Sequence, residues 1–351
     1  MSEFNLIEKY FTRFAPQADL GVGDDAALIR VKNGMQLAIS SDMLVAGTHF
    51  LHECAPYDIG WKSLAVNISD MAAMGAQARW ATLAIALPRN LPSPTQGDGQ
   101  DGGRSSTPSP ALPLKGEGRV NEAWLAEFSR GFFDCANTFN VDLIGGDTTK
   151  GPLNISVTIM GEVPTGKALR RSGAQVSDDV WVSGTLGSAS LGLACLQDNT
   201  LQAKLQLTDA NLQICLAALN TPQPRAALGL ALRGIATSCI DISDGLLADL
   251  EHILKASNCG ATVDLEKILC IELLKNNLDN SQFQAYILAG GDDYELCFTA
   301  PPTQREAINL LSKQLNLPIT CIASTRAAIG LQTIYKNEIL TLSNQGFDHF
   351  S

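Results

Sequence analysis

The sequence predicts a mixed α/β (α+β) protein built from two domains. Three observations carry that expectation. The chain has 351 residues, at roughly 150 residues per domain. Apolar residues make up 45% and charged residues 17%, the texture of a globular chain and too apolar for a disordered one. Strand-like and helix-like apolar spacings interleave without regular βαβ repetition, which argues against a doubly wound sheet.

Taken in chain order, MQLAIS at 35–40 reads as a strand. Residues 57–75 carry helical apolar spacing, and the apolar run Trp80 to Leu87 is strand-like. Next comes SPTQGDGQDGGRSSTPSPALPLKGEGR at 93–119, where 14 of 27 residues are Gly, Pro or Ser. With no hydrophobic period it reads as a disordered insertion into a surface connection, not a domain linker. Helical spacing returns at 121–139, followed by the strand LNISVTIMGEV at 153–163. The polar, Gly-bearing stretch PTGKALRRSGAQVSD at 164–178 is the expected boundary, giving domains 1–165 and 166–351. Beyond it lie strands at 179–184 and 294–300, with helices at 185–197, 208–219, 244–257 and 303–316.

Several function classes are excluded by composition. The formal net charge is −11, and nucleic-acid binding rests on Lys and Arg neutralising phosphates. No run of about 18 apolar residues is present, so no membrane-spanning helix is expected. MSEFNLIEKY lacks the basic flank and apolar core of a secretory signal. The nine cysteines stand singly with no CxxC pair, which points to reduced thiols and a cytoplasmic setting.

The acidic surplus has a pattern. Asp falls beside Gly or Ser at the end of an apolar run in GVGDDAAL (Asp24, Asp25), AISSDMLV (Ser40, Ser41, Asp42) and LIGGDTT (Asp147). The same holds in IDISDGLLADL (Asp241, Ser243, Asp244) and AGGDDYELCF (Asp292, Asp293). Singly, each reads as a turn, because Asp and Gly are common turn residues. Together they are the oxygen-rich set that a hard divalent cation such as Mg²⁺ takes, shared with substrate phosphates. Asp70 is different: it lies inside an apolar helix, three residues after Asn67 and on the same face. A carboxylate buried there calls for a counter-cation. Ser243 and Asp244 fall where a helix N-cap is expected.

Other signals are weaker. GEVPTGKA at 161–168 nearly matches a phosphate-cradling loop, but Ala168 stands where the Mg²⁺-holding hydroxyl belongs; it reads as a turn. His49 is the only histidine beside the acidic motifs and by itself reads as structural. No GxSxG is present and no Cys has a nearby His, so nucleophilic catalysis has little support.

Read together, GVGDDAAL, ISSDMLVAGTHF, LAVNISDMAAMGA, LIGGDTTKGPL, RRSGA, DISDGLLADLEHI, GGDDYELCF and GFDHF resemble the thiamine-monophosphate kinase family. That family belongs to the ATP-binding superfamily of aminoimidazole ribonucleotide synthetase and selenophosphate synthetase. The resemblance covers nearly the whole chain outside 93–119. It implies transfer of the ATP γ-phosphate to thiamine monophosphate, without a P-loop and with several Mg²⁺ ions held by aspartates. It further implies an N-terminal domain that binds ATP and Mg²⁺ and pairs with its twin in a homodimer. Carried onto matching positions, Asp25, Ser40, Ser41, Asp42, Asp70, Asp147, Asp241 and Asp244 become metal ligands. Gly146, Asp147, Arg171 and Ser243 hold ATP, while His49, Asp292 and Phe347 line the acceptor side. The family usually carries Glu where this chain has Asp292. Competing readings are a sibling ATP-dependent synthetase and a non-catalytic protein that binds Mg²⁺ or nucleotide.

Overall fold

The computed structural model describes residues 3–88 and 121–340, together with Gly346. The expected insertion at 93–119 and the expected acceptor contact Phe347 lie outside the described residues.

Among the described residues the strands form two sheets. The first combines β1 (Met35–Val45), β2 (Gln77–Leu87), β3 (Asp142–Lys150) and β4 (Asn154–Pro164) in the order β1-β4-β2-β3. The β1/β4 and β4/β2 pairs are antiparallel and β2/β3 is parallel. Helices Pro56–Ala73 and Glu122–Phe139 bury their apolar residues with this sheet in one core. Pro56 sits at the first helical turn, where its missing N–H has no partner to lose. Asn121 caps the other helix through Oδ1, accepting from the amides of Ala123 and Trp124. Where the two helices cross, a Cβ on Gly60 would lie 2.1 Å from the Phe128 carbonyl, and one on Gly131 1.9 Å from that of Tyr57. Glycine therefore sets how closely they approach.

The second sheet holds β5 (Asp179–Ser183), β6 (Ser238–Asp241), β7 (Gly260–Asp264), β8 (Leu296–Ala300), β9 (Ile319–Arg326), β10 (Gly330–Tyr335) and β11 (Glu338–Leu340). Their order is β11-β10-β7-β9-β5-β8-β6. Only β7/β10 pairs in parallel there, so both sheets are mixed and neither is doubly wound. Helices Ser188–Gln197, Asp209–Asn220, Leu246–Ser257 and Arg305–Gln314 accompany it, within three residues of the spans read from periodicity.

The Pro56–Ala73 helix is the wall shared by the two halves. Every residue from Ile59 to Ser69 is buried. Trp61 Nε1 donates to the Pro222 carbonyl at 2.9 Å, and Ala72 and Ala73 pack with Leu228, Leu232 and Phe298. A helix buried all round presents apolar residues on every face, and its buried Lys62, Ser63 and Asn67 side chains are hydrogen-bonded within the fold.

Three local expectations are corrected. β1 continues to Val45, pairing Asp42 with Val157, so Ser40, Ser41 and Asp42 lie within a strand, not after one. Ser40 and Asp42 take the inward face with Ala38 and Leu44, toward the shared helix and the cavity, and Ser41 alone of the three turns outward. Asp147 likewise lies inside β3, opposite Ala84. Neither Ser243 nor Asp244 is the helix N-cap: Gly245 takes that position at φ 121, a conformation open to glycine. The segment after β4 folds as a turn, with the Lys167 amide donating to the Pro164 carbonyl.

Candidate active site

A cavity of about 520 Å³ opens between the two halves. Its wall takes Asp42 and Leu44 from β1, His49 from the following turn and Asp70 from the shared helix. From the second half come Ser190, Asp241, Ser243, Asp244, Asp292 and Tyr294. Carboxylates far apart in sequence thus meet on one surface.

Their electrostatics follow from that convergence. Ser40 and Asp42 share a face of β1, two residues apart, and Ser40 Oγ donates to Asp70 Oδ2 at 2.5 Å. Burial pushes the Asp42 carboxyl up to about 7, with the Asp70 charge adding to it. Asp241 rises to about 8, first from burial and then from Asp70. Asp70 is also raised by burial, against the Ser40 hydrogen bond and the field of Arg171. Three carboxylates raised by burial, two of them further by the charge of the third, Asp70, make a site that gains from a cation.

The turn carrying Ser243 and Asp244 is held from beneath. Asp249 Oδ2 accepts from the amides of Ser243, Asp244 and Gly245 at 3.0, 3.0 and 3.2 Å. Burial nevertheless pushes Asp249 up to about 7. The adjoining loop is equally tied down. Asp292 and Tyr294 have φ of 67 and 48, left-handed values uncommon for residues with side chains. The Asp292 amide donates to the Ser243 carbonyl at 2.9 Å, and that of Tyr294 to Ile242 at 2.8 Å. Asp293 turns away and receives the Gly187 amide at the start of the Ser188–Gln197 helix. Glu295 is buried against Arg225, whose Nε donates to Oε2 at 2.6 Å.

Of the sequence candidates, Ser41, Asp42, Asp70, Asp241, Ser243, Asp244, His49 and Asp292 line the cavity, and Ser40 reaches it through Asp70. The Ser41 hydroxyl bonds instead to the Val157 carbonyl and Thr158 Oγ1 on β4. His49 Nδ1 accepts the Val45 amide at 3.1 Å, closing its own turn. Asp25, Gly146, Asp147 and Arg171 are exposed and stand outside the lining. Among the described residues no cluster of three or more His, Cys, Asp or Glu forms a ready-made metal cage. Lys62, Tyr294 and Asp249 were not foreseen. Lys62 had a signal: a lone charge in the apolar run IGWKSLAV, the same oddity that marked Asp70.

Comparison with known proteins identifies the lineage. Residues 23–163 match the N-terminal domain of AIR synthase related proteins, and 175–324 match their C-terminal domain. The chain is 42% identical to the thiamine-monophosphate kinase of Escherichia coli strain K12, over 99% of this chain and 98% of that one. The chain belongs to the thiamine-monophosphate kinase family. A crystal structure of the family's enzyme from Stenotrophomonas maltophilia superposes with a TM-score of 0.78, at 40% identity and 96% coverage of both chains. AaThiL complexed with AMPPCP and TMP shares the fold, with a TM-score of 0.71 at 24% identity over 99% of this chain and 96% of that one. Membership in the family makes the chain an ATP-dependent kinase with two AIR synthase-like domains.

Proposed function

We propose that the protein transfers the γ-phosphate of ATP to thiamine monophosphate, yielding thiamine diphosphate and ADP. The observation that carries this reading is full-length kinship at 42% identity, on a chain whose Asp42, Asp70, Asp241, Asp244 and Asp292 line one cavity. The ATP analogue and TMP held by AaThiL are the ligand pair assigned here to that cavity.

In this reading Asp42, Asp70, Asp241 and Asp244 hold Mg²⁺, with Ser40 orienting Asp70 and with Asp25, Ser41 and Asp147 as further ligands. The burial of Asp42 and Asp241 beside the charge of Asp70 fits such a group. When bound, Mg²⁺ neutralises the charge spread over the transferring phosphoryl group. Gly146, Asp147, Arg171 and Ser243 contact ATP, and Asp249 fixes the Ser243 turn for it. His49, Asp292 and Phe347 face thiamine monophosphate. The acceptor is a phosphate oxygen already ionised at neutral pH, so no side chain has to remove a proton. Positioning then supplies most of the rate.

The same reading divides the chain into an N-terminal domain of residues 1–165 and a C-terminal domain of residues 166–351. It also makes the protein a homodimer through the open face of the first sheet. Leu37, Ile39 and Met43 alternate along β1 and are 37, 61 and 55% exposed, an apolar row that a second copy would cover. A cytoplasmic location accords with nine cysteines that are all free.

The test is ADP formation with ATP and Mg²⁺, with and without thiamine monophosphate. Dependence on both is expected. Equal ADP release without the acceptor would refute the kinase reading and favour a bare nucleotide-binding role.

A further inference from the structure

Lys62 lies eight residues before Asp70 on the shared helix, and its side chain is 3% exposed. Lysine is almost never this buried unless paired. Its ammonium has two partners, Asp292 Oδ1 at 2.9 Å and the His49 carbonyl at 3.3 Å. Both partner residues line the cavity, and Lys62 stands behind them. The Tyr294 hydroxyl donates to the same Asp292 oxygen at 3.1 Å. Two donors on Oδ1 fix the carboxylate plane and leave Oδ2 without a donor among the described residues.

The backbone adds to this. Asp292 and Tyr294 both sit in left-handed conformations, each of which costs free energy that the surroundings must offset. The neighbouring acids explain themselves structurally: Asp293 receives the start of a helix and Glu295 pairs with Arg225. The Lys62–Asp292 pair is the one on this loop whose carboxylate faces the cavity.

We propose that Lys62 is a positioning residue for the acceptor substrate: it aims Asp292 Oδ2 into the cavity and offsets that carboxylate's charge. This rests on the acceptor assignment made above. The cavity already carries Asp42, Asp70, Asp241 and Asp244, and a fifth unbalanced charge would repel a phosphate ester. With the ammonium behind it, Asp292 becomes a nearly neutral hydrogen-bond acceptor for a donor group on the substrate. The same ammonium ties the His49 turn to the Asp292 turn, so the two acceptor-side elements hold one geometry.

Steady-state kinetics of the full chain test this. Lys62→Met is expected to raise KM for thiamine monophosphate at least ten-fold and to leave KM for ATP within two-fold. In an Asp292→Asn background, where no charge is left to offset, Lys62→Met is expected to change the acceptor KM less than three-fold. Tyr294→Phe, which deletes only the second donor to Oδ1, gives a smaller rise confined to the acceptor. It carries the test if Lys62→Met does not fold. An unchanged acceptor KM in these variants overturns the proposal. So does a parallel rise in both KM values, as loss of a mere clamp between the halves would give, or an undiminished effect in the Asp292→Asn background. Failure of the kinase reading is distinct, since the unsubstituted chain would then show no acceptor-dependent turnover.

Discussion

Replacing Asp42 with Asn separates what the carboxylates do for catalysis from what they do to stability. The substitution keeps the shape and removes the charge. Burial, and then Asp70, lift the Asp42 carboxyl from an ordinary 3.8 to about 7. At ~1.4 kcal/mol per tenfold change in proton affinity, ionising Asp42 in the fold without metal costs up to about 4 kcal/mol. The sign follows from proton counting. Between pH 3.8 and about 7 the folded chain keeps a proton that the unfolded chain has lost, so stability falls as pH rises through that window. Asp241, lifted to about 8, extends the decline. Asp42→Asn has no such proton. In a chelator at pH 8 it should be more stable than the parent by up to about 4 kcal/mol, which is several degrees in melting temperature. At pH 4 the difference should nearly vanish. Turnover should meanwhile drop by orders of magnitude. Denaturant and thermal melts from pH 4 to 8, paired with ADP formation, measure both. Equal stability at pH 8, or an equal gap at both ends of the range, would refute the reasoning.

Three further outcomes are expected. Asp249→Ala strands the amides of Ser243, Asp244 and Gly245, and should destabilise the chain by about 3 kcal/mol while raising KM for ATP; unchanged melts and KM would contradict this. Arg225→Met leaves Glu295 buried without its cation and should cost about 3–5 kcal/mol in denaturant melts, with Glu295→Gln added in the same chain recovering part of it. Ile39→Asp places charge on the exposed row of β1 and should shift the protein from dimer to monomer in light scattering. A parent chain that is already monomeric would remove the basis of that prediction.

Much of the architecture was legible because burial on one side writes a period into the sequence. β4 alternates cleanly, and the Glu122–Phe139 helix buries one stripe, so both were readable. β1 was read too short because SSDMLV breaks the apolar run, although its ladder with β4 continues through Asp42. Backbone pairing does not depend on side-chain polarity, so the end of an apolar run need not end a strand. The cavity acids were legible as residue types, yet their meeting was not, since no local pattern encodes which strand ends face one another. Asp249 was hidden for another reason. Its partners are backbone amides, and these leave no mark on residue identity. Asp70 stood out as a charge in an apolar helix; the same criterion applied to Lys62 would have exposed it as well.

The spacing of Lys62 and Asp70 on one continuous helix has a consequence for substrate choice. Eight residues at 1.5 Å each set the two side chains about 12 Å apart along the axis. In the proposed function, one end of that span belongs to the carboxylates assigned to the phosphoryl groups, the other to the anchor behind Asp292 and His49. The helix is buried from Ile59 to Ser69, so under the proposed assignment it acts as a rigid ruler between the phosphoryl end of the cavity and the end that grips the acceptor. If that assignment holds, acceptors are sorted by length: one that is shorter by a bond or two would fill either end of the span, but not both at once.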